Sequence, residues 1–162
     1  MKQFVMRYLF WLLLLFSLLY WPVNPFALWL NEMQRELTLA GLAPFLAPGQ
    51  LQGIDIMINP HYKIIITQAC NGMIPILFLW AAILAFPAPL WHQLIWLLIG
   101  YVGFSIVNVI RLLIVVHFVE KGGQASFYWS HDLLGNAILM IFGQLLFVLF
   151  IKSSRRFRKI GF

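Results

Sequence analysis

The stretch LWHQLIWLLIGYVGFSIVNVIRLLIVVHFV, residues Leu90 to Val119, carries one side chain that is always charged at neutral pH, Arg111. A helix of this length reaches roughly 45 Å, against ~30 Å of bilayer hydrocarbon. It is too short for two crossings. The reading is one membrane helix that tilts, bends near Gly100 or Gly103, or protrudes. The whole chain agrees: 162 residues are 62% hydrophobic and 10% charged, with a mean hydropathy of +0.88. No soluble domain of this size needs so much apolar surface. The fold class expected is an all-α integral membrane protein organised as a single membrane domain over 1–162.

Working outward, three more apolar runs appear. Phe4 to Trp21 follows Lys2 and Arg7. No small-residue cleavage site succeeds it, so it reads as an uncleaved transmembrane helix (4–21) rather than a signal peptide. Ala69 to Phe86 is closed by Pro87-Ala88-Pro89 (69–86), and His131 to Ile151 precedes a basic tail at 152–162. With 90–119 this makes about four crossings. Between the first two lies a segment (24–67) expected outside the cytoplasm. Asn24-Pro25 reads as a helix N-cap and first turn. Phe26, Trp29, Leu30, Met33, Leu37 and Ala40 then recur at helical spacing, with Asn31, Glu32, Gln34, Arg35, Glu36 and Thr38 elsewhere. That pattern predicts an amphipathic helix lying on the membrane surface. Ala43 to Leu51 reads as a loop. Ile54, Ile56 and Ile58 alternate with Asp55 and Met57, Asn59-Pro60 signals a turn, and Ile64 to Thr67 follows, which predicts a small β-hairpin.

The charges orient the chain. Of the eleven basic residues, Lys2, Arg7, Lys152, Arg155, Arg156, Arg158 and Lys159 lie at the termini. The five acidic residues, Glu32, Glu36, Asp55, Glu120 and Asp132, lie in segments assigned to the other side. The positive-inside rule places both termini in the cytoplasm. The net charge of +6 is therefore read as topology, not as nucleic-acid binding. No Cys/His spacing suits a metal and no glycine-rich loop suits a phosphate, so neither metal nor cofactor is expected.

This topology brings three costly polar groups to the same outer face. Cys70, the only cysteine, begins the second membrane run. It reads either as a small buried hydrophobe or as a thiol whose ionisation a helix N-terminus favours. Arg111 lies roughly 12 Å deep by helical rise, too deep to be cheap unless it is paired or snorkels. Asn108, three residues earlier, shares its face and is placed to orient it. Ser130 reads as the N-cap of the fourth helix, with His131 first in that helix and Asp132 in its first turn. A neutral His131 there can accept a proton. His61, His92 and His117 fall in a turn, at the opposite end of the third helix and on another helical face.

Ala69-Cys70-Asn71-Gly72, Asn108-Val109-Ile110-Arg111 and His131-Asp132-Leu133-Leu134-Gly135 resemble the Cys, Asn-x-x-Arg and His motifs of the exosortase/archaeosortase family. The region carrying them, about Cys70 to Ile151, covers roughly half of the chain, and the chain resembles a short form such as exosortase H. The resemblance implies a membrane-embedded cysteine protease or transpeptidase in a bacterial inner membrane. Its partner would be an exported protein with a C-terminal sorting signal made of a motif, a transmembrane helix and a basic tail. An acceptor nucleophile, not specified by the sequence, and membrane lipid would complete the partners. Cys70 would be the nucleophile, Arg111 the oxyanion stabiliser and His131 the acid-base, with Asn108 and Asp132 in support. The alternative is a non-enzymatic membrane scaffold or assembly factor, in which these groups serve helix packing. A second cysteine for dithiol chemistry and a mid-membrane acid for ion coupling are both missing.

Overall fold

A computed structural model describes residues 2–22 and 24–159, with side chains described as far as Arg156. Met1, Val23 and the last three residues of the basic tail, 160–162, lie outside the described residues. The element order is α1 (Lys2–Leu15, continued by π-helical turns Phe16–Tyr20), α2 (Pro25–Leu42), strands β1 (Leu51–Gln52), β2 (Asp55–Asn59) and β3 (Tyr62–Ile65), a 3-10 turn Gln68–Cys70, and α3 (Met73–Ala85). There follow α4 (Leu90–Gly122), the single turn α5 (Ala125–Phe127), a π-helical segment Tyr128–Gly135, and α6 (Asn136–Lys159).

Among the described residues, three helices are long and apolar enough to cross a membrane: Lys2–Tyr20, Leu90–Gly122 and Ala125–Arg156. The fourth apolar run is a shorter helix, Met73–Ala85, of 13 residues and about 20 Å. Residues 69–72 of that run form a turn instead. Gly72 takes a left-handed φ of 78° and reverses the chain before α3 starts. The bundle buries Met73, Ile76, Leu77, Ile83, Phe104 and Phe150 in one core. Met6, Phe10, Leu13, Leu94, Leu98, Met140 and Ile141 stay exposed on its outside, as a lipid-facing surface requires.

The 33 residues of α4 form one unbroken helix of roughly 50 Å, so its excess length protrudes. It runs through Gly100 and Gly103 without a break. A Cβ on Gly100 would come within 2.6 Å of Leu79 and one on Gly103 within 3.0 Å of Phe142, so both permit close helix packing. The far end of α4 carries a second core. Leu112, Val115, Val116 and Val119 pack with Leu39 and Leu42 of α2 and with Ile56, Ile64 and Ile66.

The expected hairpin is a three-stranded antiparallel sheet in the order β1-β2-β3. The added strand is Leu51–Gln52, pairing Leu51 with Ile56 and Gln52 with Asp55. It falls at the end of the stretch read as a loop, and two residues are too few to show alternation.

Helix α2 begins as the sequence predicts: Asn24 Oδ1 accepts a hydrogen bond from the Ala27 N–H at 2.7 Å. The expected apolar stripe is the face that the rest of the protein leaves uncovered. Phe26, Trp29, Met33 and Leu37 are exposed, whereas Asn31, Gln34 and Thr38 are buried against the protein. In lipid the apolar face has no reason to turn inward, and the polar face finds hydrogen bonds only inside.

The fourth run also starts earlier than expected. Gly122-Gly123 is the break, with Gly123 at φ 65°, and the helical path resumes at Ala125. Ser130 is therefore inside the helical rod and is no N-cap. Its hydroxyl donates backward to Ser126 O at 2.7 Å. Tyr128, Trp129 and Ser130 contain no breaker that would have begun the helix at His131.

Candidate active site

The turn Gln68–Cys70 is fixed before any chemistry is considered. Cys70 O accepts a hydrogen bond from Asn108 Nδ2 at 2.9 Å. The Met73 N–H donates to Asn71 Oδ1 at 2.9 Å. Gly72 touches Asn108 so closely that a Cβ there would lie 2.9 Å from its Cγ. Only glycine combines that left-handed backbone with that approach. Cys70 itself is 6% exposed.

Cys70, Arg111 and His131 come together at one atom. His131 Nε2 lies 3.5 Å from Cys70 Sγ and 3.2 Å from Arg111 Nη2. On the other side of the ring, His131 Nδ1 is 2.7 Å from Asp132 Oδ1. A carboxylate at that distance holds the proton on Nδ1, which leaves the Nε2 lone pair facing the thiol and the guanidinium. Phe127 stacks on the imidazole with ring centres 4.9 Å apart and fixes its plane.

Arg111 is 2% exposed and does not snorkel. Its Nη1 donates to Asn108 Oδ1 at 3.2 Å. Its Nη2 donates to Asn136 Oδ1 at 3.3 Å and to His131 O at 3.4 Å. Its Nε is buried with no hydrogen-bond partner among the described residues. Asn108 thus bridges the Cys70 turn and the guanidinium, one amide atom to each.

Burial raises the Cys70 thiol pKa. With the proton moved to Nε2, the hydrogen bond and charge of His131, together with the hydrogen bond of Thr67, outweigh it and hold the thiol below its ordinary range. Thr67 Oγ1 lies 3.8 Å from Sγ.

The other histidines stay apart. His61 lies exposed in the β2–β3 turn, its N–H donating to Asn59 Oδ1. His92 is buried at the opposite end, stacked on Phe150, and His117 packs on Phe118.

Sequence reasoning missed Asn136, Thr67 and Phe127. Asn136 stands five residues after His131, a separation that shares a face only in the wider π-helical turn of Tyr128–Gly135. A 3.6-residue period gives no signal for it. Thr67 had a visible signal in the Thr-x-x-Cys spacing of a 3-10 turn.

A cavity of about 800 Å³ leads away from this centre. Arg111, His131 and Asp132 line one end. Ile74, Pro75 and Phe78 of α3 face Leu139, Met140 and Gly143 of α6 along it, and Tyr8 of α1 and Phe147 of α6 also line it. Gly143 is small because Phe104 occupies the space, 3.0 Å from where a Cβ would stand. No group of His, Cys, Asp or Glu able to hold a metal ion occurs among the described residues.

The arrangement is that of a helical membrane bundle in which an imidazole and a guanidinium line the head of an apolar cavity, with a thiol 3.5 Å from the imidazole. The chain belongs to the transmembrane exosortase family, whose family model matches residues 2–150. No curated protein and no solved structure matches the chain.

Proposed function

We propose that this protein is a membrane-embedded cysteine transpeptidase or protease that cleaves the C-terminal sorting signal of an exported protein. Family membership supports the transpeptidase- or protease-like role. The observation that carries the finer reading is the shared atom: His131 Nε2 within 3.5 Å of Cys70 Sγ and 3.2 Å of Arg111 Nη2.

In the first step Cys70 Sγ loses its proton to His131 Nε2 and attacks the scissile carbonyl. Protonation of Nε2 turns its contact with Arg111 Nη2 into two facing N–H groups. The guanidinium is thereby released toward the oxyanion that forms. Asp132 on Nδ1 stabilises the imidazolium. Collapse of the tetrahedral intermediate breaks the C–N bond, and the leaving amine takes the proton from Nε2. A thioester remains on Cys70. An acceptor, either water or an amine on a lipid or glycan, gives its proton to His131, attacks the thioester and frees Cys70.

The cavity between α3 and α6 seats the apolar helix of the substrate, which arrives laterally from the bilayer. Its motif then meets His131 and Arg111 at the head, with the thiol 3.5 Å beyond the imidazole. Four crossings, with α3 as the short one, put both ends of the described chain on the cytoplasmic side of a bacterial inner membrane. The charge asymmetry supports that orientation, with the site facing the outside.

The test is co-expression with an exported protein carrying such a tail. Cys70→Ala and Cys70→Ser should both abolish loss of the tail while the protein remains in the membrane. Normal processing in both variants would remove Cys70 from the mechanism.

A further inference from the structure

We propose that α2 is a positioning element for the nucleophile, and that Gln34, through Asn71, holds the Cys70 turn in register with His131. This rests on the reading of Cys70 as nucleophile and adds a residue that none of the sequence motifs includes.

The backbone carbonyls of two consecutive residues anchor the turn from two helices. Cys70 O is held from α4 by Asn108. Asn71 O is held from α2 by Gln34 Nε2 at 3.2 Å. The rest of Asn71 is committed as well. Its Nδ2 donates to Asn31 O at 3.3 Å and Asn31 Oδ1 at 3.2 Å, and its Oδ1 caps Met73 N–H. Both Gln34 and Asn71 are 0% exposed.

Gln34 is itself locked. Its Oε1 accepts from Tyr101 OH at 2.6 Å, and its Nε2 also donates to Ser105 Oγ at 3.2 Å. Tyr101 and Ser105 are a turn apart on α4, below Asn108 and Arg111. The amide therefore ties the Cys70 turn to the helix that carries Arg111, independently of Asn108. Asn31 fastens the same helix to the end of α1, its Nδ2 donating to Leu19 O at 2.7 Å.

Packing alone does not account for these contacts. Ala27, Leu39 and Leu42 supply the buried apolar surface of α2, while Phe26, Trp29 and Met33 face outward. Asn31, Gln34 and Thr38 are buried on the same side, and Asn31 and Gln34 both contact the residue that follows Cys70. Their remaining contacts reach Leu19, Tyr101 and Ser105, so the turn is tied both to α4 and to the end of α1. With an amide on each side, Sγ is confined to the position 3.5 Å from Nε2.

The test uses the full chain in membranes, with Gln34→Leu, which keeps volume and removes every hydrogen bond. Tyr101→Phe serves as the milder variant, removing only the hydroxyl that orients Gln34. Three quantities are read: kcat and KM on a tailed substrate, the pH dependence of Cys70 alkylation by iodoacetamide, and the melting temperature in detergent. A displaced turn costs about 100-fold in rate when reacting atoms move by an ångström. Gln34→Leu should therefore lower kcat by about that factor, with KM within roughly twofold. Its alkylation midpoint should move up as Sγ leaves His131, and Tyr101→Phe should move both quantities the same way by less.

Alkylation profiles and kcat per folded molecule equal to wild type in Tyr101→Phe and Gln34→Leu would overturn the proposal. Should Gln34→Leu not fold, Tyr101→Phe decides alone. Alkylation does not depend on turnover. If Cys70→Ala still processes substrate, the nucleophile reading fails while the alkylation profile continues to judge the positioning.

Discussion

Gly135 closes the π-helical segment that carries His131, and no atom of it takes part in the chemistry proposed here. Its replacement by alanine nevertheless tests that chemistry sharply. A Cβ at this position would stand 2.6 Å from Arg111 Nε, 3.2 Å from Arg111 Cγ and 3.2 Å from Ser130 O. Ordinary contact begins near 3.4 Å, so the guanidinium side must yield by about 0.8 Å. Arg111 is enclosed, and a shift of that size away from α6 carries Nη2 out of hydrogen-bond range of His131 Nε2 and Asn136 Oδ1, now 3.2 and 3.3 Å away. Hydrogen bonds to charged groups contribute about 1.5–3 kcal/mol each. With partial compensation by rearrangement, a loss of about 2 kcal/mol of transition-state stabilisation corresponds to a roughly 30-fold fall in kcat. The backbone pulls the other way. Alanine in a helical segment is favoured over glycine by about 1 kcal/mol, which offsets part of the clash. The Gly135→Ala protein should therefore melt within a few degrees of wild type while processing substrate about 30-fold more slowly. Single-turnover release of the tail in membrane vesicles measures the rate, and thermal unfolding in detergent measures the fold. A wild-type rate in Gly135→Ala would refute the idea that the observed guanidinium position matters.

Two further outcomes follow from the same geometry. Cys70 is the sole thiol, so its alkylation by iodoacetamide is read without background. The thiolate is present above the thiol pKa and lost as pH falls through it. A lowered pKa means the reaction persists to lower pH than for an ordinary cysteine, near 8.5. His131→Ala removes the main group that lowers it, so the midpoint should move up, and an unmoved midpoint would separate the two residues. Arg111→Lys keeps the charge, but one ammonium cannot reach the acceptors on Asn108, Asn136 and His131 that the planar fork spans. Activity should fall by roughly 100-fold, the scale of losing one oxyanion donor, and a loss below threefold would argue against that role.

The legible and illegible parts of the fold divide by what sets them. The long apolar run from Leu90 to Val119 declared α4 because its length exceeds any soluble use, and α4 indeed runs unbroken from Leu90 to Gly122. The N-cap at Asn24 was legible because capping is local, a side chain answering a backbone N–H three residues away. The apolar stripe of α2 was legible and is exposed on the protein. The burial of Asn31, Gln34 and Thr38 was not legible, because periodicity does not tell whether the other face meets water or protein. The start of the last helix was misread because Ser130-His131-Asp132 mimics a capping sequence. The tertiary packing of α5 and the Tyr128–Gly135 segment against α4 carries the helix through it. The three site residues were visible as costly polar groups, but Asn136 became visible only with the π-helical path.

The location of the centre follows from a mismatch of lengths. Helix α4 measures about 50 Å where the bilayer hydrocarbon takes about 30 Å, so roughly 20 Å of it overhangs. That overhang is apolar, with Leu112, Val115, Val116 and Val119 all buried, and it needs a cover. The cover is α2 together with the small sheet, whose Ile56, Ile64 and Ile66 complete the second core. Strand β3 leaves that cover and runs directly into the Gln68–Cys70 turn, so the thiol is delivered from the cap. Arg111 and His131 stand on α4 and on the helical rod beside it. Neither core alone positions all three groups. A bundle without its cap holds Arg111 and His131 but leaves the Cys70 turn unanchored at Asn71. The 3.5 Å contact between Sγ and Nε2 thus joins a thiol held from both α2 and α4 to an imidazole on the helical rod.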